Sequence, residues 1–193
     1  LFETMARCEK VAPVLHLPFQ AGNDRVLRAM NRHYNVAEYL SLIDYARKVM
    51  PEIVLTSDVI VGFPGETEAE FEDTLRLVER VRFDALFTFI YSPREGTPAA
   101  SMPDPIPREQ KQRCFDRLVE AQNRISEERH AAYVGRTMRC LIDGTDAQDA
   151  ALLTARTEGG RLVRLPGAPE LIGQFRDVAI TGSNTWSLTG RLV

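Results

Sequence analysis

The sequence predicts an α/β segment, half of a parallel (β/α) barrel, followed by a small all-β barrel of the OB-like kind. Three observations predict it. Through residues 1–132, short apolar runs alternate with stretches of helical periodicity. The connections between those runs are long enough to hold helices, which makes the neighbouring strands parallel and the crossovers right-handed. From residue 133 to 193, helical periodicity stops and five short runs follow, separated by glycine-bearing turns.

The elements follow in order. Pro13 to Leu17 reads as a buried strand, and Asp24 to Met30 as a short helix. Asn35 has the form of an N-cap, with Glu38 three residues on completing a capping box. Tyr39, Leu40, Ile43, Ala46 and Val49 then recur at helical spacing until Pro51. Ile53 to Val61 is a β-branched run suited to a strand covered on both faces. The pattern repeats: Thr67 and Glu70 form a second capping box, and Phe71, Leu75, Val78 and Val81 share one helical face. Phe83 to Tyr91 is the third strand. After a proline-rich connection, Pro107 opens a long helix to about Ala132, with Phe115, Leu118, Val119, Gln122 and Ile125 along its seam. Three parallel strands are few for a free-standing sheet. Helices are therefore expected on one side, and an apolar open edge.

The tail contributes Thr137 to Ile142, Ala151 to Arg156, Leu162 to Leu165, Phe175 to Thr181 and Ser187 to Val193. The expected domains are thus 1–132 and 133–193.

Composition bounds the function. The 193 residues are 44% hydrophobic and 26% charged, which excludes disordered and fibrous classes. No apolar run approaches the roughly 20 residues of a membrane span, so no membrane partner is expected. Leu1 to Lys10 lacks the shape of a signal peptide, and the chain reads as a piece of something longer. Cys8, Cys114 and Cys140 are far apart, fitting neither a disulfide framework nor a zinc ribbon; each reads as a reduced thiol in a cytoplasmic protein. The net charge of −3 divides unevenly, with 17 basic against 21 acidic residues up to Ala132 and 7 against 6 beyond it. The net charge argues against a nucleic-acid-binding chain in bulk, and the tail is only weakly basic; no DNA partner is expected.

Four segments can carry chemistry. His16 to Asn23 leaves the first strand at its C-terminal end, where parallel barrels place their pockets. Gln20 is a donor and acceptor for a ligand there, Gly22 permits close backbone approach, and His16 competes as a satisfied core histidine. Ser57 to Thr67 is the second strand and its exit. Asp58 inside an apolar run is costly to bury unpaired, so it is expected to face a polar interior, while Gly62 and Gly65 shape the turn. Tyr91 to Ala100 follows the third strand, and Arg94 in its constrained loop is placed to meet phosphate or, alternatively, to pair with Glu95. Arg156, Arg161 and Arg164 surround one probable hairpin of the tail and can track a nucleic-acid backbone, against which Glu158 counts.

The strings HLPFQAGNDRVLRAMNRHY, TSDVIVGFPGETEAEFEDTL and FTFIYSPREGTPAA, in this order and spacing, resemble the radical-SAM methylthiotransferases, and the last sixty residues resemble their RNA-binding TRAM β-barrel. The subgroup acting on isopentenyladenosine in tRNA is the nearest. The resemblance implies the second half of a radical-SAM barrel (strands four to six) plus a TRAM domain. It implies a transferase that adds a methylthio group to a modified adenosine beside the anticodon by S-adenosylmethionine (SAM) radical chemistry. SAM and two 4Fe-4S clusters are the implied cofactors. The cluster ligands are cysteines of motifs that this sequence lacks, so it supplies no metal ligand and no catalysis alone. The implied partners are a tRNA anticodon arm and the N-terminal portion of the same enzyme. For SAM the resemblance points to Gln20, Arg32, Asp58, Ile60 and Tyr91, and for RNA to Arg94, Arg156, Arg161 and Arg164. The tail departs from the family pattern in Glu158 and the Gly159-Gly160 turn. The competing readings are a free-standing RNA-binding module, a relative acting on threonylcarbamoyl-adenosine or on a ribosomal protein, and an unrelated barrel enzyme.

Overall fold

The computed structural model describes residues 1–193. In chain order it contains α1 (Phe2–Arg7), β1 (Val14–His16), α2 (Asp24–Ala29), α3 (Val36–Val49), β2 (Val54–Val61), α4 (Glu68–Val81), β3 (Ala85–Ile90) and α5 (Arg108–Ala131). Five strands follow: β4 (Thr137–Thr145), β5 (Leu152–Thr157), β6 (Leu162–Pro166), β7 (Phe175–Ser183) and β8 (Leu188–Leu192). Two compact units result, Leu15–Ile125 and a second that joins Leu1–Val14 to Ser126–Val193. The division falls inside α5, which continues past Ile125 to Ala131.

Unit Leu15–Ile125 is a three-stranded sheet in the order β1-β2-β3, with β2 and β3 parallel in register from Thr56↔Ala85 to Val61↔Ile90. Both capping boxes form: Asn35 accepts from the Glu38 N–H, Thr67 from the Glu70 N–H, and each glutamate reaches back to its cap. Alternation along β2 decides the two faces. Leu55, Ser57, Val59 and Val61 are buried beneath the helices. Thr56, Asp58 and Ile60 point the other way and remain half-buried. On that second face β3 presents Phe87 and Phe89, 54% and 51% exposed. Under the buried face Phe19 stacks on Phe83 at 5.4 Å between ring centroids, and Ile43, Ala46, Phe71 and Val78 are likewise buried.

In the second unit, β4-β5-β6-β8-β7 close into a barrel, and closure leaves no unpaired edge. Its core is Cys140, Ile142, Leu153, Ala155, Val163, Leu165, Val178, Ile180 and Leu188, supplied by alternate positions of each strand. β6 and β8 pair in parallel and the other contacts are antiparallel.

Candidate active site

Where β2 and β3 end, a cavity of about 800 Å³ opens on the half-buried face of the sheet. Gln20, Arg32, Asp58, Ile60, Tyr91 and Arg94 all line it. Asp58 and Ile60 come from β2 itself, Gln20 and Arg32 from the segments after β1 and α2, and Tyr91 and Arg94 from the connection after β3; parallel pairing aligns the ends of β2 and β3.

Gln20 is the most constrained of them. It adopts φ 65°, in the left-handed region that non-glycine residues visit at a cost of roughly 1–2 kcal/mol. Two backbone bonds hold it there: its N–H donates to the Asp58 carbonyl at 3.0 Å, and its carbonyl accepts from Ile60 N–H at 2.9 Å. The main chain of β2 thus fixes the direction of a buried polar side chain at the cavity wall. Asp58 lies 3.5 Å from His16 Nε2, and His16 Nδ1 is 2.9 Å from Thr56 Oγ1. His16 is exposed rather than a core histidine, because β1 is short and its side chain stands on the open face against Phe87.

Tyr91 closes one side. Its ring meets Phe63 edge-on at 5.2 Å, and Lys111 Nζ stands 5.5 Å from its centroid. Lys111 is itself paired with Asp104. The Tyr91 hydroxyl is buried without a hydrogen-bond partner, the kind of atom that a ligand satisfies. Arg32 is exposed at the rim, after Asn31 in a left-handed conformation (φ 57°). Arg94 makes no ion pair with Glu95. Its loop is drawn tight instead by Thr97, whose N–H and hydroxyl both donate to the Arg94 carbonyl at 3.2 and 2.7 Å.

The glycines act differently from the sequence reading. A Cβ on Gly22 would lie 2.5 Å from the Thr74 Cα, so its close approach is to α4 and not to a ligand. At Gly62 (φ +69°) the neighbour is the Lys111 stem. The turn after β2 is braced by two carboxylates. Glu66 is buried and accepts from the Gly62 N–H at 2.5 Å, and burial pushes its carboxyl up to about 7. Glu70 is held well below the usual carboxylate range by Arg25, which also donates to the Gly65 carbonyl at 2.6 Å.

Sequence reasoning missed much of the apolar wall: Met30, Phe63, Phe89, Ile90 and Met102 also line the cavity. Alternation along β3 places Phe89 opposite Ile60 and was the available signal. Met30 and Met102 carried none.

On the β-barrel the predicted RNA-facing arginines are not grouped as free cations. Arg156 Nε donates to Asp143 at 2.9 Å, and Arg164 donates to Asp146 at 2.6 Å and to the Ser187 hydroxyl at 3.4 Å. Arg161 is 7% exposed, with its guanidinium 4.7 Å from the Tyr133 ring centroid.

The residues fit SAM: a polar wall of Gln20, Arg32 and Asp58 suits its amino-acid portion, and Ile60, Phe89 and Tyr91 offer apolar faces to an adenine. They do not fit an iron–sulfur cluster. No group of three or more Cys, His, Asp or Glu side chains has metal-binding geometry. Two cysteines are buried, and burial raises both thiols, Cys140 to about 11, away from the thiolate a cluster requires.

A parallel α/β sheet with its cavity at the strand ends, joined to a closed five-stranded barrel, defines a class, and comparison with known proteins agrees. Residues 1–78 match the Radical SAM superfamily, and residues 131–193 match the TRAM domain. The chain thus carries a segment similar to the Radical SAM superfamily followed by a TRAM domain. Over all 193 residues it is 46% identical to a tRNA-2-methylthio-N(6)-dimethylallyladenosine synthase of Acetivibrio thermocellus, covering 40% of that protein. It is 47% identical to the synthase of the same name from Thermoanaerobacter, covering 41%, and 42% identical to that of Clostridium novyi, covering 43%. The chain therefore spans less than half the length of these relatives. Among solved structures, the radical-SAM coproporphyrinogen III oxidase of Escherichia coli superposes with a TM-score of 0.54 at 18% identity, over 85% of this chain and 48% of the other. That likeness concerns the fold alone.

Proposed function

We propose that this chain supplies the SAM- and substrate-facing wall of a radical-SAM tRNA methylthiotransferase that modifies an adenosine beside the anticodon. The observation that carries the reading is the convergence of Gln20, Arg32, Asp58, Ile60 and Tyr91 on one cavity. SAM held there would supply the radical chemistry, its reducing electron coming from a 4Fe-4S cluster of the N-terminal portion. The chain's own residues bind and orient. Asp58, Gln20 and Arg32 would hold polar groups of SAM, Ile60 would lie against the adenine, and Tyr91 stands near the pocket rim. Arg94 at the rim holds a phosphate of the incoming nucleotide. On the barrel, Arg156 and Arg164 exchange their carboxylate partners for phosphates, while Arg161 supports Tyr133 from within. The 4Fe-4S ligands belong to the N-terminal portion of the same enzyme, which also completes the barrel. The setting is the cytoplasm; no helix here is long and apolar enough to cross a membrane.

The test uses the complete enzyme with its clusters reconstituted. Asp58→Asn should weaken SAM binding in equilibrium dialysis by roughly tenfold or more, the weight of a lost charge-assisted hydrogen bond, and leave tRNA affinity unchanged. SAM binding equal to wild type in Asp58→Asn and in Gln20→Ala would remove the cavity from the SAM site.

A further inference from the structure

The barrel carries a surface feature that the hairpin arginines do not account for. Phe175, the first residue of β7, is 53% exposed, and the Arg139 guanidinium lies 4.9 Å from its ring centroid. The β4–β7 register explains the contact: Leu141 faces Phe175 and Arg139 faces Asp177, so Arg139, two residues from Leu141 on the same side of β4, reaches diagonally to the ring. A large apolar ring on a strand is normally covered, and here a planar cation covers only part of it. Two more arginines are near in the same sheet. Arg176, in register with the core residue Cys140, alternates to the other side of β7 from Phe175 and donates to the neutral amide of Gln174 at 2.5 Å, whereas Arg191 on β8 pairs in register with Ala179, on the parity of Phe175. Neither they nor Arg139 form an ion pair, so all three keep their charge available. Asp177 and Glu158 are the carboxylates closest in register. By contrast, Arg156 and Arg164 are held by Asp143 and Asp146, and Arg161 is buried.

We propose that the β4–β7 face, centred on Phe175 and Arg139, is the surface on which the barrel stacks an unpaired nucleobase of the tRNA, with Arg191 meeting a flanking phosphate. The inference rests on the tRNA-modifying reading above and adds the place of contact. A half-exposed ring with a guanidinium already stacked on it is a platform for a base, because every base has a π-face and the cation beside it attracts the backbone. Trp186 is more exposed, at 73%, but no cation stacks on it. It is the competing platform.

The experiment uses the full 193-residue chain and a synthetic anticodon-arm RNA, with ultraviolet crosslinking read by mass spectrometry and affinity measured across a salt series. The crosslink is expected on the peptide containing Phe175. Phe175→Ala should weaken binding on the order of tenfold and Phe175→Tyr should restore it. Arg191→Ala should flatten the dependence of log affinity on log salt, by roughly 0.7–0.9 for the lost phosphate contact. If the wild type binds but these variants bind equally well, or crosslinks are confined to Trp186 or to residues 156–164, the surface is wrong and the tRNA reading stands. If the wild-type chain shows no affinity for the RNA at low salt, the tRNA reading fails and takes the surface with it.

Discussion

Glu66 shows how a single buried side chain makes the site sensitive to pH. Its carboxyl rises to about 7 chiefly because burial penalises the charged form, despite the Gly62 N–H that it accepts. In the unfolded chain it titrates near 4.5. The folded state therefore holds this proton where the unfolded state has lost it. The stabilising contribution is complete below about 4.5 and is lost as pH rises to about 7. Glu66→Gln keeps an acceptor for Gly62 and removes the titration. Thermal melts should show variant and wild type alike near pH 4, and the variant the more stable at pH 8, by about 3 kcal/mol at most. A difference independent of pH would mean that Glu66 is not the titrating group. Gly22 is constrained by sterics instead. A Cβ there meets α4 backbone at 2.5 Å, so Gly22→Ala should destabilise by roughly 1–3 kcal/mol in urea unfolding.

Helix starts and strand alternation are the level at which this sequence is most readable. Asn35 with Glu38 and Thr67 with Glu70 form the capping boxes that their spacing announces, since both depend only on residues three apart. Thr67→Ala should cost about 1 kcal/mol in urea unfolding followed by circular dichroism; no change would mean that Arg25 and Glu70 alone secure the start of α4. The barrel strands were legible because glycine turns bracket them, although Gly144 proved to lie inside β4, at the end of the bulge that begins at Ile142. What was not legible depends on distant partners. Nothing local tells that Arg161 is buried on Tyr133, or that Gly22 approaches Thr74 across 52 residues. The convergence of Gln20, Asp58 and Tyr91 was readable in part, because strand ends of a parallel sheet share one rim. Met30 and Met102, which also line the cavity, stand just past the ends of short helical segments, where no period marks them.

At the scale of the molecule, one face of the parallel sheet is left open. Phe87 and Phe89 stand half-exposed beside His16, where a lone soluble sheet would place polar residues. In sedimentation velocity the 193-residue chain should self-associate as its concentration rises, and Phe87→Ser should reduce that association; a strictly monomeric wild type would show the face to be tolerated by water. The central claim, that the cavity at the strand ends receives SAM, is tested most directly by photolabelling the complete enzyme with an azido-adenine analogue of SAM. The account predicts label on the peptides that contain Ile60 and Tyr91, suppressed by excess SAM and reduced in Asp58→Asn. Specific label confined to peptides outside residues 15–125 would contradict it.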